Sequence, residues 1–312
     1  MQNSLAVTGA ELHRFGRLTH QTETKLSAYR QYVRTTELMK LICHLTRSMQ
    51  IHRGMTMGWL SGQPAFYPQI VEQQRLIDVL LLIIRDVEWP IDDGRSESEV
   101  RHLTNDWQTI LDGWRDDQLL HNFEFHSHLI DGLLRLLRVD LQSTLVTQFT
   151  DSQTETPILL PMCTEHLPDF TEILAKLRGL ATNVAVHKNC DSQRRERLVF
   201  LCREAKSQYR KIRAMIKSSG AEVRLPAAFG LHFKQNLNAI EKNLLQSEAV
   251  EVASTELFRS ASQFIDELWE AADYNILGLE MKLAHALLSS SGGANAAHRK
   301  PFGQVETLLT SR

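Results

Sequence analysis

The chain has 312 residues, of which 43% are hydrophobic and 23% are charged, and its formal net charge is −2. This length allows two compact domains or one elongated double domain. A nearly neutral chain lacks the basic field that nucleic-acid-binding proteins use, so we expect no direct nucleic-acid partner.

The cysteines and the apolar runs indicate the cellular compartment. The cysteines form no CxxC pair and no zinc-ligand spacing, which is typical of reduced thiols in a cytosolic protein; they are Cys43, Cys163, Cys190 and Cys202. The first residues lack the basic-then-apolar order of a signal peptide. The longest apolar run, Val79 to Ile84, is far too short to span a membrane. We therefore expect a cytoplasmic protein without membrane contact.

Hydrophobic periodicity predicts helices throughout the first half of the chain. Residues 1–20 are weakly periodic and are interpreted as a loose arm. A polar turn with two prolines and two aromatics follows the first helix, and a kink is expected near Asp131-Gly132 of the fourth. The predicted helices span Gln21 to about Trp59, Ile70–Glu88, Glu99–Trp114 and Asp116–Phe149.

The second half repeats this plan after TDSQTETP (150–157), the most polar break in the chain and our candidate boundary between domains. Residues 157–168 are a short entry segment. Residues 289–312 have the composition of a flexible tail. The predicted helices span Asp169 to about Val186, Ser192–Lys217, Pro226–Gln246 and Ser254–Leu288.

No stretch shows the sustained alternation of a β-strand, so we predict an all-α protein without a sheet. About eight helices joined by short turns favour two four-helix bundles arranged end to end. The first bundle would span residues 21–150 and the second residues 151–288.

The first helix carries a charge on its apolar face. Apolar residues follow helical spacing at Leu38, Leu41, Ile42, Leu45, Met49 and Met55, and Arg53-Gly54 interrupts them. A buried guanidinium needs partners for its five donors. One interpretation is a site for a small planar anion, with room left by Gly54 and a neutral donor from Thr56. The other is a core arginine paired with a carboxylate such as Glu72 or Glu37.

The Arg-Gly pair recurs as Arg178-Gly179, 125 residues later, again in the first long helix of its half. This separation is close to the size of a four-helix unit. The equivalent placement indicates two bundles of related plan, and makes Arg178 and Gly179 further candidates for the anion site.

These residues resemble a known family, the nitrate- and nitrite-sensing (NIT) domain of bacterial regulators. The run His44-Leu45 and Met49-Gln50-Ile51-His52-Arg53-Gly54 is similar to the family's first-helix motif, and Arg178-Gly179 to its recurrence. The resemblance covers roughly residues 25–288. It implies two four-helix bundles that bind nitrate or nitrite through arginines, including the first-helix arginine, and pass a signal to an output domain.

The sequence departs from the family pattern at several positions. His52 stands where an acidic residue is usual, and the second nitrate-contacting arginine has no match near Lys234 and Lys242. The 24 residues after Leu288 are too few for an output module. The resemblance therefore implies a regulator that signals to a separate protein, and the sequence leaves a homodimer open.

The sequence offers two alternatives to anion sensing, a metal-dependent enzyme and a ligand-free adaptor. A metal-dependent enzyme draws on His121, Glu124 and His128, which share one helix face with His126 nearby, but a second Glu-x-x-His copy is absent. Phosphate loops, nucleophile elbows and HExxH motifs are absent too, so we expect no enzyme, metal or cofactor. A ligand-free helical adaptor is the main alternative to sensing. The arginine-rich helix 192–217 is a candidate docking surface for an acidic partner.

Overall fold

The computed structural model describes residues 9–87, 89, 95–148, 156–219 and 223–289. The predicted all-α class is confirmed, because none of these residues lies in a strand. The helices are α1 (Gly9–Leu60), α2 (Tyr67–Asp86), α3 (Arg95–Gly113), α4 (Leu119–Arg135), α5 (Gln142–Gln148), α6 (Thr156–Pro161), α7 (Leu167–His187), α8 (Ser192–Ser219), α9 (Phe229–Ile240) and α10 (Ser254–Ser289).

Several of these segments join without a break. π-helical turns connect α4 to α5 (Leu136–Leu141) and α6 to α7 (Met162–His166), and another extends α9 (Glu241–Leu245). The described residues therefore form eight continuous helices, close to the predicted number. Asp131 and Gly132, where a kink was expected, lie inside the unbroken α4, and the π turn begins at Leu136. Gly132 instead lets α3 approach, since an added Cβ would lie 3.1 Å from Leu103.

The largest correction concerns the start of the chain. α1 begins at Gly9, so residues 9–20 belong to the helix and are not the predicted loose arm. No proline interrupts this segment, and a mostly polar helix lacks the periodicity on which the prediction relied. The entry segment 157–168 is also helical, as α6 and the turn before α7. Residues 150–155 of the proposed boundary and residues 290–312 of the proposed tail lie outside the described residues.

The core runs along α1. This helix packs against α2 and α4 of the first half and against α7 and α10 of the second half. Its inward residues, such as Leu38, Ile42 and Met49, are fully buried, as the helical spacing predicted. The division into two bundles placed end to end stays a prediction. A single helix that packs on both halves brings Arg53 to the junction with α7.

Candidate functional site

Arg53 faces inward, as predicted from its position among apolar residues, and is 1% exposed. It is also paired within the protein. Its Nη1 donates to Oε1 of Glu172 at 2.7 Å, and its Nη2 donates to Oε2 at 3.0 Å. A further bond from Nη1 reaches Oγ of Ser127 at 2.8 Å. This arrangement matches the second interpretation, a core arginine paired with a carboxylate.

The expected partners of Arg53 were wrong. Glu37 and Glu72 both lie on exposed faces of their helices, whereas Glu172 is 3% exposed on α7. The two partners lie 119 residues apart, so neighbouring sequence could not indicate the pair. The available signal was only general: Glu172 is a carboxylate within a helix that is buried almost all round, and such a group needs a buried cation.

Glu172 is held by several donors. Nε2 of Gln50 donates to its Oε2 at 3.1 Å, and Nζ of Lys176 lies 3.3 Å from its Oε1. Burial alone would raise the pKa of Glu172, but the charges of Arg53 and Lys176 and their hydrogen bonds outweigh it, so the pKa is lowered. The carboxylate therefore stays ionised in the core.

Arg178 is buried about as deeply as Arg53, at 2% exposed, but no carboxylate of the described residues pairs with it. Its Nη1 donates to Oγ of Ser262 at 2.9 Å and its Nη2 to the backbone oxygen of Gln50 at 2.6 Å. Its guanidinium carbon lies 4.9 Å from the centre of the Phe258 ring. Among the described residues, no carboxylate oxygen lies within 4.0 Å of this guanidinium, and its Nε has no hydrogen-bond partner.

Burial, with a smaller effect from the positive charge of Arg53, lowers the pKa of Arg178 to about 10. The group is still a cation near neutral pH. A charged group in a low-dielectric core without an opposite charge beside it is costly. In the cluster of Arg53, Glu172 and Arg178, the charge of Arg178 is therefore the least well compensated.

The glycines let the two helices approach closely. A Cβ on Gly54 would lie 3.2 Å from Nη2 of Arg178 and 3.0 Å from Phe258. A Cβ on Gly179 would lie 2.9 Å from Sδ of Met57. At each glycine, a side chain from another helix fills the space that a Cβ would take. The structure brings Arg53, Gly54 and Arg178 together, whereas Gly179 lies against apolar side chains.

Thr56 is buried but already bonded. Its Oγ1 lies 3.0 Å from the backbone oxygen of His52, 3.1 Å from that of Arg53, and 2.9 Å from Oδ1 of Asn122. A hydroxyl has a single hydrogen to donate, and three acceptors surround it here. The structure therefore leaves this hydroxyl no spare hydrogen for a ligand.

A small cavity lies beside Arg178, between α7, α9 and α10. Its volume is about 20 Å³, which is room for roughly one water molecule. Asn236 is its only polar neighbour besides Arg178 among the residues that line it, which also include Leu174, Leu177, Phe233, Leu237, Ile240, Ala261 and Phe264.

Gln50, which was predicted only to be part of the first-helix motif and not a site residue, links Glu172 and Arg178 to α10. Its side chain donates to Glu172, its backbone oxygen accepts from Arg178, and its Oε1 accepts from Nε1 of Trp269 at 3.1 Å. One residue of α1 thereby contacts Glu172 and Arg178 of α7 and Trp269 of α10.

A pair of buried histidines lies next to this cluster. Nδ1 of His52 and Nε2 of His126 are 2.7 Å apart, and Nε2 of Gln74 lies 3.2 Å from His52. Burial lowers the pKa of His126 to about 4, and burial together with the charge of His126 lowers the pKa of His52 well below its usual value. Both rings are therefore neutral near pH 7.

The side chains of the metal alternative lie at the surface. His121 pairs with Asp117 and has a side chain 67% exposed, Glu124 pairs with Arg197, and His128 is exposed. Across the part of the chain that the structure describes, no three His, Cys, Asp or Glu side chains could together hold a metal ion. None of the helices in this part is both long and apolar enough to cross a membrane.

Among solved structures, the fold is similar to that of the NasR transcription antiterminator. The TM-score is 0.63 and the sequence identity 15%, over 89% of this chain and 76% of the NasR chain. At this identity the similarity concerns the fold. No protein-family model matches the sequence, and no curated protein matches it.

Proposed function

We propose that this chain is a cytosolic, non-enzymatic sensor that binds a small oxyanion, nitrate or nitrite, between helices at Arg178, Arg53 and Gly54. Binding changes the packing of α1, α7 and α10, and thereby the affinity for a separate regulatory protein. The resemblance to NIT domains supplies the ligand class. The similarity in fold to a transcription antiterminator supports a regulatory role.

The observation that carries this proposal is the unmatched charge of Arg178. Arg53 and Arg178 contribute two buried positive charges, and Glu172 contributes one negative charge. A monovalent anion beside Arg178 would balance the cluster and accept a hydrogen bond from the free Nε. Nitrate is planar, and its oxygens match the parallel donors of a guanidinium.

The present cavity is too small for such an anion, because about 20 Å³ accommodates only a water molecule. Entry of the ligand therefore has to separate α9 or α10 from α7. Binding is therefore coupled to a change in helix packing. An anion that bound equally well before and after this change would not shift the equilibrium between the two packing arrangements.

The test is thermal unfolding of the purified protein with sodium nitrate, nitrite, chloride or sulfate at matched ionic strength. We expect millimolar nitrate or nitrite to raise the melting temperature by several degrees, since a ligand that binds only the folded state stabilises it. Arg53→Ala and Arg178→Gln should abolish the rise, and Arg178→Lys should weaken it, because a lysine lacks the planar pair of donors.

Arg135→Ala is the matched control, since that arginine pairs with Glu99 at the surface. Its nitrate response should equal that of the wild type. The same melting temperature in all four salts would disprove the proposal.

A ligand-free adaptor is the second candidate. The bidentate Arg53–Glu172 pair favours it, because an arginine satisfied by the protein needs no external anion. The adaptor predicts that Arg178 also serves packing only, so that no anion stabilises the wild type.

A further inference from the structure

Glu172 binds the guanidinium of Arg53 in the same way as a bound oxyanion would. Its two oxygens accept the two parallel donors of the guanidinium at 2.7 and 3.0 Å, the arrangement by which arginine binds planar anions. Glu172 thus already accepts the hydrogen bonds of one of the two arginines that the proposal assigns to the ligand.

The geometry points to Glu172 as an internal competitor of the anion. When the anion binds, Glu172 releases Arg53, and the negative charge of Glu172 determines which ligand charge the site accepts. This inference rests on the proposed function, since it presupposes an anion at Arg53 and Arg178. It adds the residue that determines the affinity and the specificity of that site.

A second cation is already in place for the displaced carboxylate. Nζ of Lys176 lies 3.3 Å from Oε1 of Glu172, one helical turn away on α7. The lysine side chain is 23% exposed and also lies 3.6 Å from Asp131 of α4. Glu172 therefore contacts cations on both sides, Arg53 on α1 and Lys176 on its own helix. Releasing Arg53 would not leave this carboxylate without a charge partner.

The charges also predict which anions enter. Arg53, Arg178 and Glu172 together have a net charge of +1, and the charges of Lys176 and Asp131 beside them add up to zero. A monovalent anion neutralises this net charge, whereas a divalent anion leaves a buried excess of negative charge. Because Coulomb energy is proportional to the ligand charge, removing the Glu172 charge should favour a divalent ion about twice as much in free energy.

The experiment is calorimetric titration of the full chain with sodium nitrate and with sodium sulfate. In Glu172→Gln we expect about tenfold tighter binding of nitrate and a larger gain, up to roughly a hundredfold, for sulfate. Lys176→Met should weaken nitrate binding, because the displaced carboxylate loses its second partner. Glu165→Gln is the control, a carboxylate on the same continuous helix and 40% exposed outside the cluster.

The outcomes separate this inference from the proposed function. If the wild type binds nitrate and Glu172→Gln binds it no more tightly, the competitor role is wrong and the anion site stands. If neither protein binds any anion, the proposed function fails and the competitor role fails with it. Binding by Glu172→Gln alone would support competition and reject sensing by the wild type.

A change in folding must be separated from a change in affinity. Far-ultraviolet circular dichroism shows whether Glu172→Gln is folded. If it is not, Glu172→Asp keeps the charge but withdraws the carboxylate from Arg53 by one methylene. Tighter nitrate binding by this variant supports the competitor role, and unchanged or weaker binding contradicts it.

Discussion

A buried guanidinium is tolerated when hydrogen bonds and an opposite charge replace the water it loses. Arg53 has both, from Glu172 and Ser127. Arg178 has hydrogen bonds from two of its nitrogens but only a distant share of the negative charge. Of these two arginines, Arg178 is therefore the one whose charge is less well compensated by the protein.

The neighbouring histidine pair predicts a dependence of stability on pH. The folded state keeps His52 and His126 neutral, since their pKa values are lowered, whereas the unfolded chain takes up protons near the usual value of 6.5. The unfolded state therefore binds more protons between about pH 6.5 and 4. The free energy of unfolding should therefore decrease as the pH is lowered through this window, by roughly 1 kcal/mol per pH unit for each ring.

Urea unfolding at several pH values measures this effect, with His126→Gln as the comparison. Burial raises the pKa of Asp169 to about 6, which acts in the opposite direction, so the difference between the two proteins is the diagnostic quantity. The variant should show a shallower loss of stability on acidification. An equal slope in both proteins would contradict the assignment of neutral buried rings.

At the scale of helices, glycines decide how closely α1 meets its neighbours. A Cβ on Gly58 would lie 2.4 Å from the ring of Phe66, which packs on Phe258 at a centroid distance of 5.6 Å. Gly278 of α10, in contrast, has nothing within 4 Å of the added atom. The two positions separate the effect of packing from that of helix propensity.

Gly58→Ala should lower the free energy of unfolding, because overpacking costs about 1–3 kcal/mol and exceeds the gain in helix propensity of about 1 kcal/mol. Gly278→Ala should raise it by up to about 1 kcal/mol. Thermal and urea unfolding of both variants measure the changes. A stabilised Gly58→Ala would show that Phe66 moves aside without cost.

The sequence predicts features that depend on neighbouring residues, but not contacts between helices that are distant in the chain. Apolar spacing correctly predicted most helices and the inward direction of Arg53, because both depend on residues within a few turns. The helical start at Gly9 and the π turn at Leu136 follow from no local pattern. The apolar surroundings of Glu172 in α7 indicate a need for a buried cation, but its bond to Arg53 depends on how α1 and α7 pack, which sequence alone does not specify.

Over the whole molecule, α1 joins the two halves. Gln50 and Arg53 of α1 bond to Glu172, Arg178 and Trp269 of the second half. On its other side α1 packs against α2 and α4 of the first half. Unfolding either half would expose one side of this helix and leave buried charges without partners. The halves are therefore expected to be stable only together.

We predict a single cooperative unfolding transition of the full chain. Four of the five tryptophans precede residue 150, so fluorescence reports mainly on the first half, whereas circular dichroism reports on all helices. The two urea midpoints should coincide. Gln50→Ala removes side-chain bonds to the second half and should lower both midpoints together. A fluorescence midpoint that differs from that of circular dichroism, or a variant that shifts only one of them, would mean that the halves unfold separately. In that case movement at Arg178 could not reach α2 and α4 through α1.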